Sequence, residues 1–143
     1  MKKILVAIDG SVFAQRALDV AIELSVRAQA ELHILTVPQI VPDPELDKFC
    51  KIENLTMGDL MEHEANGLLS RAKQQASQNG TESTTTIVAA GDPAEAILNY
   101  AKNCLADLIV LGKRGRGRLA GLLLGSVSQK IAILADRPVL IVP

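Results

Sequence analysis

Aromatic residues are scarce in this chain of 143 residues: they make up 2% of it, with two Phe, one Tyr and no Trp. Proteins that bind single-stranded nucleic acid commonly stack the bases on several aromatic side chains, so this composition argues against that class. Cysteine is scarce as well. Cys50 and Cys104 are too few for a disulfide framework or a cysteine metal site, and neither lies in a Cys-x-x-Cys pair.

A membrane-length apolar run and a broad excess of one charge are also missing. No apolar run approaches the ~18 residues of a membrane span, and Met1-Lys2-Lys3 leads straight into a strand pattern without a signal-peptide core. The net charge is −1, with 48% hydrophobic and 22% charged residues. These features predict one globular domain spanning residues 1–143, cytoplasmic and without membrane contact.

Apolar runs alternate with helical patterns along the chain. This alternation predicts an α/β fold, a single doubly wound, Rossmann-like, five-stranded parallel sheet with right-handed crossovers and helices on both faces. In such sheets ligands bind beyond the carboxyl ends of the strands, where the strand order reverses. The predicted strands are Lys3–Ile8, Glu31–Val37, Ser83–Ala89, Asp107–Leu111 and Pro138–Val142, with four helices between them. Ser11 and Asp92 are predicted helix N-caps, and Asn79-Gly80 is a predicted helix end.

The segment from Pro38 to Leu55 interrupts this pattern. Pro38, Pro42 and Pro44 predict a long loop without regular structure, and loops of this length are usually functional or mobile. Whether a ligand switches this loop is left open. Cys50 is predicted to be an exposed thiol within it.

The stretch Gly112–Ser126, GKRGRGRLAGLLLGS, holds five glycines and four cations between a buried strand and a helical pattern. Glycine lets the backbone approach a ligand closely, and a helix beginning at Ser126 would point free N–H groups and its positive dipole end into the same space. These features predict a phosphate cradle. The rest of the chain has a net charge of −5, so the positive charge is local, as for a small anion. The local charge argues against a nucleic-acid partner, since proteins that bind nucleic acid carry a broader basic face.

Two common nucleotide motifs do not account for this stretch. The chain has no G-x-x-x-x-G-K-[ST] sequence. Gly115, Gly117 and Ala120 imitate a dinucleotide fingerprint, with Asp136 about twenty residues on. However, Asp136 precedes the last strand and therefore lies at the amino end of the sheet, whereas a ribose-binding acid belongs at the carboxyl end.

The spacing Gly112-x2-Gly115-x9-Gly125-Ser126 resembles the G-2x-G-9x-G-[ST] signature of the ATP-binding branch of the universal stress protein family. The resemblance covers the whole chain and includes the acid after the first strand, the helix start at Gly91–Glu95 and the closing apolar strand. It implies strand order 3-2-1-4-5, a homodimer, and ATP at the switch point with Mg or Mn bridging the phosphates.

The resemblance also implies roles for individual residues. Gly112 and Gly115 would border the ribose and phosphates. Gly125, Ser126, Val127 and Ser128 would hold phosphate oxygens, while Ala7, Asp9 and Val37 would frame the adenine and ribose, with Leu111 beside them. Alternatives remain open: the glycines could only form a turn and allow close helix packing, Ala7, Val37 and Leu111 could be core residues, and Asp9 could be a helix-capping acid.

Other polar and apolar side chains have structural interpretations. The four cations either screen a triphosphate or form a solvated loop face, and the second is favoured for Arg116 and Arg118. The segment Leu122–Leu124 is predicted to pack the loop onto the sheet. His33 and His63 do not belong to a metal-binding sequence pattern, so we expect structural roles for both.

Efficient phosphoryl transfer needs a positioned base and metal-holding carboxylates. The only obvious acid is Asp9, which the resemblance places at the adenosine end, and neither Ser126 nor Ser128 has an identifiable base. We therefore expect an ATP-binding module with a regulatory or protective role in stress response. The alternative is a slow ATPase or self-phosphorylating enzyme.

The last strand is wholly apolar, and the implied strand order places it at the sheet edge. Exposed edges recruit another chain unless charge, proline or cover protects them. We therefore predict a homodimer joined through Val139–Val142 about a two-fold axis.

Overall fold

The computed structural model describes residues 1–40, 42–115 and 123–143. Within these ranges it contains five strands and five helices. The strands are β1 (Lys3–Ala7), β2 (Glu31–Thr36), β3 (Thr84–Val88), β4 (Leu108–Gly112) and β5 (Val139–Val142), and the helices are α1 (Val12–Ala28), α2 (Pro44–Ile52), α3 (Met57–Gln78), α4 (Pro93–Asn103) and α5 (Ser126–Leu134).

The five strands form one parallel sheet in the order β3-β2-β1-β4-β5. This confirms both the predicted fold class and the predicted strand order. β1 is central: its Val6 is opposite Ile34 of β2 on one side and Val110 of β4 on the other. The chain builds outward from β1 in both directions, so the order reverses between β1 and β4, and a crevice is expected at the carboxyl ends of these two strands.

Apolar side chains of β1 serve both faces of the sheet. Ile4 and Val6 join the cluster beneath α1 and α3, whereas Leu5 joins the cluster beneath α4 and α5, and all three are fully buried. Because a parallel strand covered on both sides needs apolar residues throughout, the unbroken run in β1 has a direct physical cause. Burial of each such side chain contributes about 1.5–3 kcal/mol.

The structure confirms the two predicted helix N-caps and the predicted helix end. Ser11 Oγ accepts a hydrogen bond from the N–H of Ala14 at 3.1 Å, and Asp92 Oδ2 accepts one from the N–H of Glu95 at 3.0 Å. Each cap satisfies an N–H that has no partner inside its helix, which typically contributes ~1 kcal/mol. Asn79 is the C-cap of α3, and Gly80 follows it at φ +95°.

The prediction of a loop from Pro38 to Leu55 was wrong, because this segment contains α2. Asp43 caps the helix by accepting hydrogen bonds from the N–H groups of Glu45 and Leu46. Pro44 occupies the first helical position, where its missing N–H has no intrahelical partner to lose. The chain therefore has five helices in the described ranges instead of four. Cys50 is also not exposed: it is 5% accessible, on the side of α2 that is buried.

α3 is the longest helix in the described ranges. Its buried stripe consists of Ala65, Leu69, Ala72 and Ala76, and the remaining surface is largely polar. Across the described ranges, none of the helices combines the length and the apolarity that a membrane crossing requires.

Candidate functional site

Asp9 lies just beyond the carboxyl end of β1, where the strand order predicts a crevice between β1 and β4. Its Oδ1 accepts a hydrogen bond from the N–H of Ser11 at 2.9 Å, and Gly10 between them adopts φ +83°. The side chain that caps α1 is that of Ser11. Asp9 therefore stabilises the turn into α1, while its carboxylate remains at the carboxyl end of the central strand.

Gly115 and Asp9 are in close contact although they are far apart in the sequence. A Cβ added to Gly115 would lie 2.6 Å from Asp9 Oδ2, closer than real Cβ atoms approach an oxygen. The φ of Gly115 lies outside the left-handed region. Glycine lets the loop after β4 pass directly against the carboxylate after β1 without displacing it.

Gly112, at the end of β4, touches a different part of the molecule. A Cβ on Gly112 would lie 2.7 Å from the carbonyl carbon of Phe13, 2.8 Å from its oxygen and 2.9 Å from the nitrogen of Ala14. Gly112 therefore lets the first turn of α1 rest on β4, which is the close helix packing left open as an alternative. A contact of Gly112 with ribose or phosphate stays a prediction.

α5 begins beside this loop. Its N-cap is Gly125, whose N–H donates to the carbonyl of Lys113 at 2.9 Å and whose added Cβ would lie 3.3 Å from the Cα of Arg114. Since glycine has no side chain to cap the helix, the N–H groups of the first turn, including Ser126 and Val127, receive no bond from that position. This helix end offers donors and a positive dipole end to an anion.

Ser128 is 5% exposed, and its Oγ donates to the carbonyl of Gly112 at 2.8 Å. This bond joins the end of β4 to the first turn of α5. Because the only hydroxyl proton is used inside the protein, Ser128 would have to rotate before it could donate to a phosphate. Its phosphate contact stays a prediction.

The residues predicted to frame the adenine and ribose differ in burial. Leu111 is 3% exposed, while Ala7 and Val37 are half-buried and pack against the same core cluster. Core packing therefore accounts for all three, and their contact with adenine or ribose stays a prediction. Val37 follows directly after β2. Sequence reasoning missed Gln39, whose Nε2 donates to the carbonyls of Pro38 at 3.0 Å and Gly91 at 3.3 Å. Gln39 thus ties the chain after β2 to the chain after β3, and we find no sequence signal that would have identified it.

Two cations of the cradle, Lys113 and Arg114, are half-buried. The guanidinium carbon of Arg114 lies 4.9 Å from the centroid of the Phe13 ring, which is within cation–π range. Nε of Arg114 is buried, and no atom in the described part of the chain accepts a hydrogen bond from it. Phe13 was missed from the sequence, although an aromatic residue two positions after the N-cap Ser11 was an available signal in so aromatic-poor a chain.

Part of the predicted cradle, namely Arg116, Arg118 and Leu122, lies outside the described residues. The packing prediction for the neighbouring leucines is wrong at Leu123, which is 81% exposed, while Leu124 is half-buried. The leucine run alone was therefore a poor guide to burial, because the sequence does not show which of three consecutive leucines faces the protein.

The two histidines differ in burial, and only His33 has a structural contact among the described residues. His33 is 7% exposed, with its Nδ1 2.7 Å from the hydroxyl oxygen of Tyr100, and His63 lies on the exposed side of α3. In the residues that the structure describes, no three His, Cys, Asp or Glu side chains are placed to hold a metal ion. A divalent ion at the cradle would therefore depend on ligands other than a protein cluster of this kind.

A cleft of about 250 Å³ opens between α1 and α3. Gly10, Ser11 and Arg71 are among its lining residues, whereas Gly112, Gly115 and Gly125 are not. The cleft borders the chain after β1 but is separate from the cradle.

Comparison with known proteins decides the family. The model of the universal stress protein family matches residues 1–143. The chain belongs to the universal stress protein family. It is 40% identical to universal stress protein YxiE of Bacillus subtilis, over 98% of this chain and 97% of that protein.

Solved structures of the family have the same fold. Universal stress protein UspA from Lactobacillus plantarum matches with a TM-score of 0.83 and 27% identity, over 99% of this chain and 97% of that one. A universal stress protein in complex with cAMP matches with a TM-score of 0.72 and 28% identity, over 99% and 95% of the two chains.

In this universal stress protein, the ten predicted site residues lie along one edge of the molecule. They occupy the carboxyl ends of β1, β2 and β4, the chain just beyond them, and the first turn of α5. The members are Ala7, Asp9, Val37, Leu111, Gly112, Gly115, Gly125, Ser126, Val127 and Ser128. The fold therefore brings the predicted set together.

Proposed function

We propose that this universal stress protein binds ATP at the crevice between the ends of β1 and β4, and that it acts as a nucleotide-dependent regulatory or protective module in stress response. The observation that carries the proposal is the contact between Asp9 and Gly115, directly beside the N-terminus of α5. Phosphates would lie along Gly115, Gly125 and the first N–H groups of α5. The adenosine would lie toward Asp9, Ala7 and Val37.

The charges beside the crevice suit an anionic ligand. Lys113 and Arg114 are half-buried there, and α5 directs the positive end of its dipole at the same place. Nε of Arg114 is buried with no acceptor among the described residues, and such a donor weakens the protein until it is satisfied. Magnesium or manganese would be held mainly by phosphate oxygens and water, as is usual for Mg²⁺ in nucleotide sites.

The comparison adds support for an adenine nucleotide. One solved relative of 28% identity is a universal stress protein in complex with cAMP. For this chain we propose ATP instead of a cyclic monophosphate, because the row of glycines, the helix N-terminus and two cations suit several phosphates in sequence. Competition between cAMP and ATP in one binding assay distinguishes the two ligands.

Efficient turnover is not part of the proposal. Asp9 already bonds the N–H of Ser11, and the hydroxyl proton of Ser128 is given to Gly112. Ser126 makes no side-chain hydrogen bond to another described residue that would activate it. Phosphoryl transfer needs a positioned base, so a slow ATPase or self-phosphorylating enzyme is the second possibility.

Calorimetric titration with magnesium and ATP tests the site. Gly115→Val should abolish binding, because its side chain must displace the Asp9 carboxylate and enter the path of the phosphates. Gly58→Ala is the matched control, since an added Cβ there meets only Thr56 Oγ1 at 3.7 Å. Wild-type affinity in a folded Gly115→Val protein would contradict the site assignment.

We also propose the homodimer through Val139–Val142. β5 is an edge strand, so one side of its backbone has no neighbouring strand within the described sheet. Leu140 on this strand is 36% exposed, and α5, which contacts β5, exposes Ile133 by 81% and Leu134 by 58%. Antiparallel pairing of two copies would satisfy both edges and remove these apolar side chains from water.

A further inference from the structure

α2 carries an apolar surface that the proposed nucleotide site does not use. Leu46, Phe49 and Ile52 on the helix and Leu55 just after it are 38%, 47%, 80% and 42% exposed. We call these four residues the α2 patch. Single exposed apolar residues are normal on a protein surface, but a group of them usually marks an interaction site. Phe49 is moreover one of only two Phe in the chain.

The patch is not explained by the packing of α2. The helix has its main packing against α3, and Cys50 is its one buried residue. Leu46, Phe49 and Ile52 recur every three residues, so successive members are neighbours on the helix surface. The cap by Asp43 with Pro44 in the first position starts the helix from local signals. These apolar side chains are therefore not required to bury themselves for α2 to form.

The segment of the chain that carries the patch is acidic. Residues 43–64, which comprise α2 and the first part of α3, contain seven Asp or Glu side chains and two Lys, whereas the whole chain has a net charge of −1. None of these nine side chains belongs to a salt bridge with another described residue. Asp43 and Asp59 accept backbone hydrogen bonds at the starts of α2 and α3. The other five carboxylates, in a segment with a net charge of −5, can pair with an outside partner.

This charge distinguishes the possible occupants. A second copy docked patch to patch about a two-fold axis would place acidic residues against the same acidic residues, which is unfavourable. An anionic membrane surface would be repelled in the same way. A helical segment with one apolar side and flanking Lys or Arg residues would match both the apolar patch and the acidic residues.

We infer that the α2 patch docks a basic amphipathic helix from a partner protein. Its apolar side would cover Leu46, Phe49 and Ile52, and its Lys or Arg residues would pair with the surrounding carboxylates. Helices recognised in this way present apolar residues at helical spacing to an apolar surface. The aromatic Phe49 is expected to dominate the affinity, as aromatic residues often do at interfaces. This site is separate from the nucleotide crevice and does not depend on ATP binding.

Fluorescence anisotropy with a labelled amphipathic helical peptide of Leu and Lys tests the inference, and the matching Leu/Glu peptide controls for charge. Phe49→Ser and Ile52→Ser should each weaken binding of the Leu/Lys peptide at least tenfold. Leu105→Ser is the matched control, since Leu105 is 75% exposed just after α4, and the affinity of this variant for the Leu/Lys peptide should not change. Equal binding of the two peptides, or unchanged affinity in both patch variants, overturns the inference.

Cys50 provides a second measurement at the same place. In a Cys104→Ser background Cys50 is the only thiol, and it lies buried on the helix that carries the patch. Bound Leu/Lys peptide should slow its modification by a thiol reagent severalfold, and this protection should be absent in Phe49→Ser. Circular dichroism checks that each variant is folded, so a lost signal reports on the patch.

Two other occupants would also overturn the inference. If Phe49→Ser reduces the oligomeric state in sedimentation equilibrium, the patch is a contact between copies of this chain. If the protein binds vesicles of phosphatidylcholine and phosphatidylserine and Phe49→Ser abolishes that binding, the patch is a membrane contact.

Discussion

Replacing Gly112 with alanine should destabilise the fold without any involvement of the ligand. The added methyl group would meet three backbone atoms of α1 at 2.7 to 2.9 Å, those of Phe13 and Ala14. Backbone cannot rotate away as a side chain can, so α1 must move off β4. Overpacking of this kind costs roughly 1–3 kcal/mol, and we expect the upper part of that range. For a chain of this size each kcal/mol lowers the melting temperature by about 2–4 °C.

Gly115→Ala provides the contrast within the same motif. Its methyl group would meet the tip of the Asp9 side chain, and a side chain can rotate where backbone cannot, with the hydrogen bond to Ser11 among the contacts at risk. One such bond is worth about 0.5–1.5 kcal/mol, so the stability loss should be smaller than that of Gly112→Ala. Gly115→Ala should weaken ATP binding more than Gly112→Ala does, because it displaces both Asp9 and the loop after β4.

Urea unfolding and calorimetric titration with ATP separate the two effects. Gly58→Ala serves as the control: alanine is favoured over glycine inside a helix by about 0.5–1 kcal/mol, so this variant should be slightly more stable and bind normally. If Gly112→Ala unfolds at the wild-type urea concentration, α1 does not rest on β4 as described. If Gly115→Ala costs more stability than Gly112→Ala, the assignment of the two glycines to ligand and packing roles is reversed.

Three further predictions concern pH, assembly and turnover. Hydrogen bonds from the N–H groups of Lys2 and Lys3 hold the pKa of Asp107 below its usual range. The stabilisation is therefore present above the unfolded value near ~3.9 and is lost as the pH falls through the lower, folded value. In Asp107→Asn, the free energy of unfolding measured with urea should fall less steeply as the pH decreases through that range. A pH dependence identical to that of the wild type would contradict this. Leu140→Lys should convert a dimer into a monomer that still binds ATP, as measured by sedimentation equilibrium; a monomeric wild-type protein at tens of micromolar would refute the dimer. Phosphate release should be far below the ~10 s⁻¹ of a median enzyme, and turnover near that rate that Ser128→Ala abolishes would favour the enzyme.

Much of the fold could be predicted because its signals are local. An unbroken apolar run indicates a strand covered on both faces, as at residues 4–7, and the three Thr of β3 are typical of an edge strand, which is its place in the sheet. Ser11 and Asp92 cap helices through atoms three residues away. Local signals failed at Pro44, because proline breaks a helix in its interior and favours one at its first position. Only the preceding cap distinguishes the two cases.

The candidate site divides in the same way between local and tertiary information. The sequence by itself determined the spacing of glycines and the start of α5, since both follow from residues close together along the chain. It did not determine that Gly115 touches Asp9 whereas Gly112 touches the backbone of Phe13. These contacts join residues about a hundred positions apart, and they arise because the strand order places β4 beside β1. Only the tertiary structure decided which glycine faces the crevice and which supports a helix, because a missing side chain matters only through what lies next to it.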